Sequence, residues 1–224
     1  MPTPDATPVE DLKPEAGNIS AEVNFTPFGG APIGISYIRG RYFIDDLIAL
    51  RVGLAFSLQT INAPATTDLI TYAGGGSVVS WGLLPGIEFH FEGTRRLSPF
   101  VGAQIDLLAR NSGYTLTTTP KGGTTSTLTM IGAAPANGGD ATSDPSKNNY
   151  FNPGLSGLLG CDFYFSKHIY LGTEFGIGFS IQTRGDITTT STAGSTSVST
   201  VTKGAASFGI APVYNSAIRV GFVF

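Results

Sequence analysis

Leu47-Ile-Ala-Leu-Arg-Val-Gly-Leu-Ala-Phe-Ser-Leu-Gln59 is the stretch that decides the fold. Successive side chains of a β-strand point to opposite faces. Ile48, Leu50, Val52, Leu54, Phe56 and Leu58 therefore share one face. Ala49, Arg51, Gly53, Ala55, Ser57 and Gln59 share the other. One face is wholly apolar, and the other mixes small, polar and charged residues. An amphipathic helix would repeat its apolar positions near every 3.6 residues instead.

The same period of two extends outward in both directions. A first strand is expected over residues 17–26, with Ile19, Ala21, Val23 and Phe25 opposed to Ser20, Glu22, Asn24 and Thr26. A Gly/Pro turn over 27–32 leads to a second strand, 33–43, whose facing is ambiguous: Tyr37, Arg39 and Arg41 share one side. Asp45-Asp46 turns the chain into the stretch above. A fourth strand, 77–91, points Val79, Trp81, Leu83, Ile87, Phe89 and Phe91 outward, and Gly82, Gly86, Glu88 and His90 inward. The fifth is expected over 99–110, the sixth over 150–165, the seventh over 169–184 and the eighth over 207–224. Short turns follow strands two, four and six, at Asp45-Asp46, 92–97 and Ser166-Lys167-His168. Polar loops follow strands three, five and seven, running to Gly76, over 112–149 with strand extensions at the base of that loop, and to Lys203. Short turns on one side and long loops on the other are the habit of bacterial outer-membrane barrels.

Composition agrees with that solvent. The chain has 224 residues, of which 13% are charged, 30 are Gly and 14 are Pro. Mean hydropathy is only +0.15. A transmembrane helix needs about 18 consecutive apolar residues, and the sequence contains no such run. A spanning strand needs only every second residue apolar, which keeps the average modest. The net charge of −3 gives nucleic acid nothing to bind, and the single Cys161 excludes an internal disulfide. Met1-Pro-Thr-Pro has neither a basic region nor an apolar stretch, so a mature chain without its export signal is expected. Residues 1–16, rich in Pro and acid, are expected to be a disordered periplasmic tail.

A soluble eight-stranded barrel would show the same alternation with its apolar face inward. Two features favour the inverted arrangement. The apolar face is nearly complete along most strands. The opposite face combines glycine with Glu22, Arg51, Glu88, Asp106, Arg110, Asp162, Glu174, Arg184 and Arg219. Glycine on a watery face wastes strand propensity, whereas in a narrow lumen it makes room for long paired side chains. Phe89, Phe91, Phe163 and Phe165 fall beside short turns and Trp81 toward the loops, as two aromatic girdles would.

These residues resemble the eight-stranded OmpA/OmpX-like outer-membrane barrels. Arg219-Val-Gly-Phe-Val-Phe224 resembles their C-terminal assembly signal through Val220, Phe222 and Phe224. Ala49-Leu-Arg-Val-Gly-Leu54 and Leu97-Ser-Pro-Phe-Val-Gly-Ala103 resemble recurrent strand openings. The resemblance covers residues 17–224. It implies an all-β fold, a transmembrane antiparallel up-and-down barrel of eight strands in the bacterial outer membrane, with both termini periplasmic. It implies insertion by the barrel-assembly machinery. No peptidoglycan-binding domain follows the barrel, so wall anchoring by that route is not expected.

The nine lumen charges are expected to form a network that plugs the barrel, since eight strands leave an interior just wide enough for side chains. Arg51 and Arg219 should find partners among Glu22, Glu88 and Glu174. The alternative is a conduit for a small solute or a hydrophobic ligand. Lipid-modifying enzymes on this scaffold use a His with Ser and an acid near the outer leaflet. His90 and His168 both lie near the periplasmic turns, and the serines lack a neighbouring base. Asp140 and Asp144 lack calcium-loop spacing, and Gly74-Gly75-Gly76 lacks the Lys-Ser/Thr of a phosphate loop. No catalytic residue, metal or cofactor is expected. The expected partners are the bilayer, the assembly machinery, and an envelope complex or extracellular partner reached through the loops.

Overall fold

The computed structural model describes residues 12–25, 33–137, 142–214 and 218–224. Within them the chain is all-β and antiparallel. The strands are β1 (Ile19–Phe25), β2 (Ile33–Asp45), β3 (Ile48–Thr66), β4 (Ile70–His90), β5 (Leu97–Pro120) and β6 (Ser126–Ile131). There follow β7 (Tyr150–Ser166), β8 (Ile169–Arg184), β9 (Ile187–Ala193), β10 (Thr196–Thr202), β11 (Ala206–Tyr214) and β12 (Ile218–Val223). Neighbours pair in the order β1, β2, β3, β4, β5, β7, β8, β12, and β12 pairs back onto β1. These strands close a ring. The final strand expected over 207–224 is two elements, β11 and β12, both laddered on β8. The expected turn over 27–32 lies outside the described residues.

The segments expected to be polar loops are largely strand. β3 continues to Thr66 and β4 begins at Ile70, so Gly74, Gly75 and Gly76 sit in a ladder opposite Ala63, Asn62 and Ile61. β5 runs on to Pro120, and β6, β9 and β10 add to it in turn. The physical reason is twofold. Thr and Val carry β-branched side chains that suit a pleated surface, and each segment finds a neighbour for its backbone N–H and C=O groups. The glycine run has its own cause: a Cβ on Gly76 would meet Cα of Tyr114 at 2.9 Å. Tyr114 lies flat over the glycines and anchors a second core with Ile61, Val78, Leu116, Met130 and Ala134.

Period two sets the facing throughout the ring. Leu54 is 55% exposed and Phe56 63%, whereas Arg51 is 3% exposed and Glu88 0%. On β2, where the sequence left the facing open, Arg39, Arg41 and Phe43 are buried and Ile38, Tyr42 and Ile44 are exposed. The outside of the ring is apolar and its inside is charged.

The N-terminal segment also departs from expectation. Residues 1–11 lie outside the described residues, but 12–16 are docked rather than free. Leu12 packs on the cluster of Tyr164, Tyr170 and Val223. Its N–H donates to the Arg95 carbonyl at 3.3 Å, Lys13 Nζ donates to the Glu92 carbonyl at 2.6 Å, and the Ala16 N–H donates to Asp46 at 2.8 Å. One apolar side chain among two tyrosines, with backbone partners in the turns, is enough to hold this short stretch across the turn end of the ring.

Candidate functional site

The ring's interior is the most concentrated chemistry in the molecule. Each strand contributes by pointing alternate residues inward. β1 supplies Glu22, β2 Arg39 and Arg41, β3 Arg51, β4 Glu88 and His90, β7 Asp162, β8 Tyr170 and Glu174, and β12 Arg219. Register brings Arg41 and Arg51 directly opposite one another across β2 and β3. Two guanidiniums side by side would repel, and Glu88 offsets this by bridging both: Arg41 Nη1 to Oε2 at 2.9 Å and Arg51 Nη1 to Oε1 at 2.8 Å.

The remaining contacts complete a mesh. Glu174 receives Arg51 at 2.8 Å and Arg39 at 3.1 Å. Asp162 receives Arg41 at 2.7 Å and Arg219 at 2.8 Å. Glu22 receives Arg219 at 3.0 Å and Arg39 at 3.2 Å, and also meets Arg41. Tyr170 stitches the centre, donating to Glu22 at 2.7 Å and accepting from Arg41 at 2.8 Å. Phe100 lies under both Arg41 and Arg219, at 5.9 and 5.3 Å. Four arginines (39, 41, 51, 219) thus face four carboxylates (22, 88, 162, 174), and the cluster is neutral.

Glycines shape this space. A Cβ on Gly172 would meet Arg219 Nη2 at 2.6 Å, and one on Gly221 would run into the Tyr170 ring. Each absent side chain is filled by the long one directly opposite it in the β8–β12 ladder.

Six of the nine charges expected in the lumen network come together here: Glu22, Arg51, Glu88, Asp162, Glu174 and Arg219. Three do not, because they sit further toward the loop end. Asp106 accepts from Gln104 and Ser156 rather than from an arginine. Arg110 donates to Ser80 Oγ at 3.1 Å and to the Ser146 carbonyl, and stacks on Tyr150 at 5.0 Å. Arg184 is exposed. Conversely, Arg39 and Arg41 belong to the mesh. Their shared face was the available signal, but the strand's mixed pattern hid which side it was.

A Ser–His–acid row also appears, contrary to the expectation that no serine has a base beside it. His90 Nδ1 lies 2.9 Å from Ser98 Oγ and Nε2 lies 3.3 Å from Glu88. Sequence spacing hid this contact because it crosses from β4 to β5. The row is closed to a substrate: all three residues are buried, the His90 ring lies between Phe43 and Phe100, and Glu88 is already held by two arginines. His168 Nδ1 pairs with the Val223 carbonyl at 3.1 Å. Among the described residues no cluster of His, Cys, Asp and Glu could hold a metal. Asp140 lies outside the described residues.

Two loop carboxylates have depressed pKa values. The Ser146 backbone N–H, 2.9 Å from Asp144, holds that carboxyl below the ordinary aspartate range. Lys203, at 2.6 Å, does the same for Asp186, helped by the Gly204 N–H. Each group contributes stability that is present above its unfolded value and is lost as pH falls through its folded one. Acidification from about pH 5 to about pH 3, across the aspartate range, should loosen residues 145–149 and 203–205. Amide exchange corrected for intrinsic rates would register it. Unchanged protection at the lower pH would contradict it.

Fold and interior together define a class: an antiparallel all-β ring with an apolar outside and a neutral, fully ion-paired centre. No protein-family model matches the chain, and no curated protein matches it.

Proposed function

We propose that this chain is an integral β-barrel of the bacterial outer membrane, with a structural or surface-interaction role and no enzymatic activity. One observation carries the reading: the ring is inverted, with paired charges inside and a continuous apolar belt outside. Exposed apolar patches beyond a few hundred Å² are rare on water-soluble monomers. Here Leu50, Leu54, Phe89, Phe163, Phe175 and Phe222 are all exposed, and the belt takes in strands around the ring.

Its height suits a bilayer. From Ile48 to Leu58 the outward row climbs about 33 Å at ~3.3 Å per residue. A strand tilt near 40° reduces that to about 25 Å, the height of the apolar band of such barrels. Phe89, Phe91, Phe163 and Phe165 rim it at the turn end and Trp81 toward the other, all exposed. Val220, Phe222 and Phe224 alternate with buried Gly221 and Val223 on the closing strand, as an assembly signal read by the barrel-assembly machinery would.

The neutral mesh supports a plugged lumen rather than a conduit. The extended ends of β3, β4 and β5 with β6, β9 and β10 stand beyond the belt and support contact with an envelope or extracellular partner. In this orientation both termini are periplasmic.

Two measurements test the reading. Folded chain in detergent should migrate differently on gels before and after boiling. Planar bilayers should record no stable large conductance. Dispersal as a monomer in buffer without detergent would refute the membrane assignment, and a large steady conductance would refute the plug.

A further inference from the structure

Above the ion-paired centre, on the loop side, the interior widens into a pocket of about 380 Å³. Arg110, Tyr150 and Arg184 lie side by side across β5, β7 and β8, with Arg110 and Arg184 each directly opposite Tyr150 in the ladders. Gln182, Asn148, Pro145 and Ser146 complete the wall. By strand parity Arg110, Tyr150, Gln182 and Arg184 share the inward face of Asp106, Ser156 and Glu174, so the pocket opens inside the ring and not onto the apolar belt.

Its charge balance differs from that of the mesh below. Two guanidiniums line it, and among the described residues no carboxylate does. The nearby acids are engaged elsewhere: Asp186 by Lys203 and Gly204, Asp144 by Ser146, and Asp106, lower on the same face, by Gln104 and Ser156. Arg110 is held in place by Ser80, Ser146 and the Tyr150 ring, which presets its fork. The Asn148 side-chain oxygen is buried there with no hydrogen-bond partner among the described residues, and it offers an acceptor to a hydroxyl. Planar guanidinium forks match the oxygens of phosphate and carboxylate.

We propose that this vestibule binds a small, hydroxylated solute bearing a phosphate or carboxylate group, with Arg110 and Arg184 on the oxyanion and Asn148 on a hydroxyl. Lipid headgroups are excluded as the source because the pocket faces away from the belt. The inference goes beyond the membrane reading: it needs the ring and its pocket, not the bilayer.

The test is calorimetric titration of the purified full chain with inorganic phosphate, glucose 6-phosphate and glucose. Saturable binding of the two phosphates with a Kd of about 1 mM or tighter is expected, with glucose 6-phosphate the tighter and glucose silent. Arg184→Gln touches no described partner and should weaken both phosphates by about tenfold or more, the value of one charge-assisted hydrogen bond. Lys121→Gln removes an exposed cation outside the pocket and should leave both affinities unchanged. Phosphates that bind no better than glucose would overturn the proposal. So would an Arg184→Gln chain of wild-type affinity, or equal weakening by Lys121→Gln, which would reveal diffuse attraction.

Discussion

Arg219→Met should destabilise the folded chain by about 3–5 kcal/mol, the cost of breaking a buried ion pair by removing one partner. Arg219 is fully buried. It holds Glu22 at 3.0 Å and Asp162 at 2.8 Å, and lies over Phe100 at 5.3 Å. Its loss leaves the interior with four carboxylates and three arginines, so one negative charge has no counterpart in a region shut off from water. Methionine fills much of the volume, so the measured loss reports charge rather than a cavity. The urea midpoint of the heat-sensitive gel band measures it. Arg219→Met with Asp162→Asn restores neutrality and should recover most of the loss. A single variant of wild-type stability would show that water or ions reach the mesh and that it is not a sealed plug.

Leu54→Arg comes second in size, and it discriminates between solvents. Leu54 is 55% exposed and sits mid-belt, opposite Leu83 and Ile38. On a ring in water such an exposed change costs less than about 0.5 kcal/mol. In a bilayer an arginine at that depth costs about 2–4 kcal/mol. Refolding into phosphatidylcholine vesicles should therefore yield far less heat-modifiable band for Leu54→Arg than for the unaltered chain. Ile131→Arg, on β6 beyond the belt and 62% exposed, should refold normally. Equal yields from both variants would remove the belt from the lipid.

Neither effect depends on the strand count or on the loops. The first is set by charge balance within a closed interior, the second by what touches the outer face. A destabilised Arg219→Met chain together with an unaffected Leu54→Arg chain would describe a polar-cored ring in water, a combination the composition alone does not separate from a membrane barrel.

Legibility in the sequence follows the range of the physics involved. The face on which Arg51, Glu88 or Phe222 lies is a local property, because strand pleat alone alternates side chains. The fourth, sixth and seventh strands could be placed within a few residues at their turn ends for the same reason. β2 was harder: Tyr37, Arg39 and Arg41 share a face, but Phe43 shares it too, and it is buried beside His90. The Thr/Ser/Gly segments read as loops, with strand extensions only at the base of 112–149, because nothing within them announces a neighbour. Thr188 to Ala193 becomes strand by pairing with β6 on one side and β10 on the other. Leu12 reads as part of a disordered tail because a single apolar residue among prolines carries no pattern; its partners, Tyr164, Tyr170 and Val223, lie far along the chain.

By itself, then, the sequence determined an all-β antiparallel chain with one apolar and one charged face. Both follow from a period of two that each residue carries regardless of its partners. Only the tertiary structure decided which charges meet. Glu22 and Arg219 are 197 residues apart, and Arg41 and Asp162 are 121 apart. What joins them is the register between strands and the closure of β12 onto β1. That closure sorts the nine expected charges by height: six join Arg39 and Arg41 in a neutral mesh at the turn end, and Asp106, Arg110 and Arg184 stand apart toward the loop end. Height inside a ring is set by every pairing around it, so no single strand encodes it.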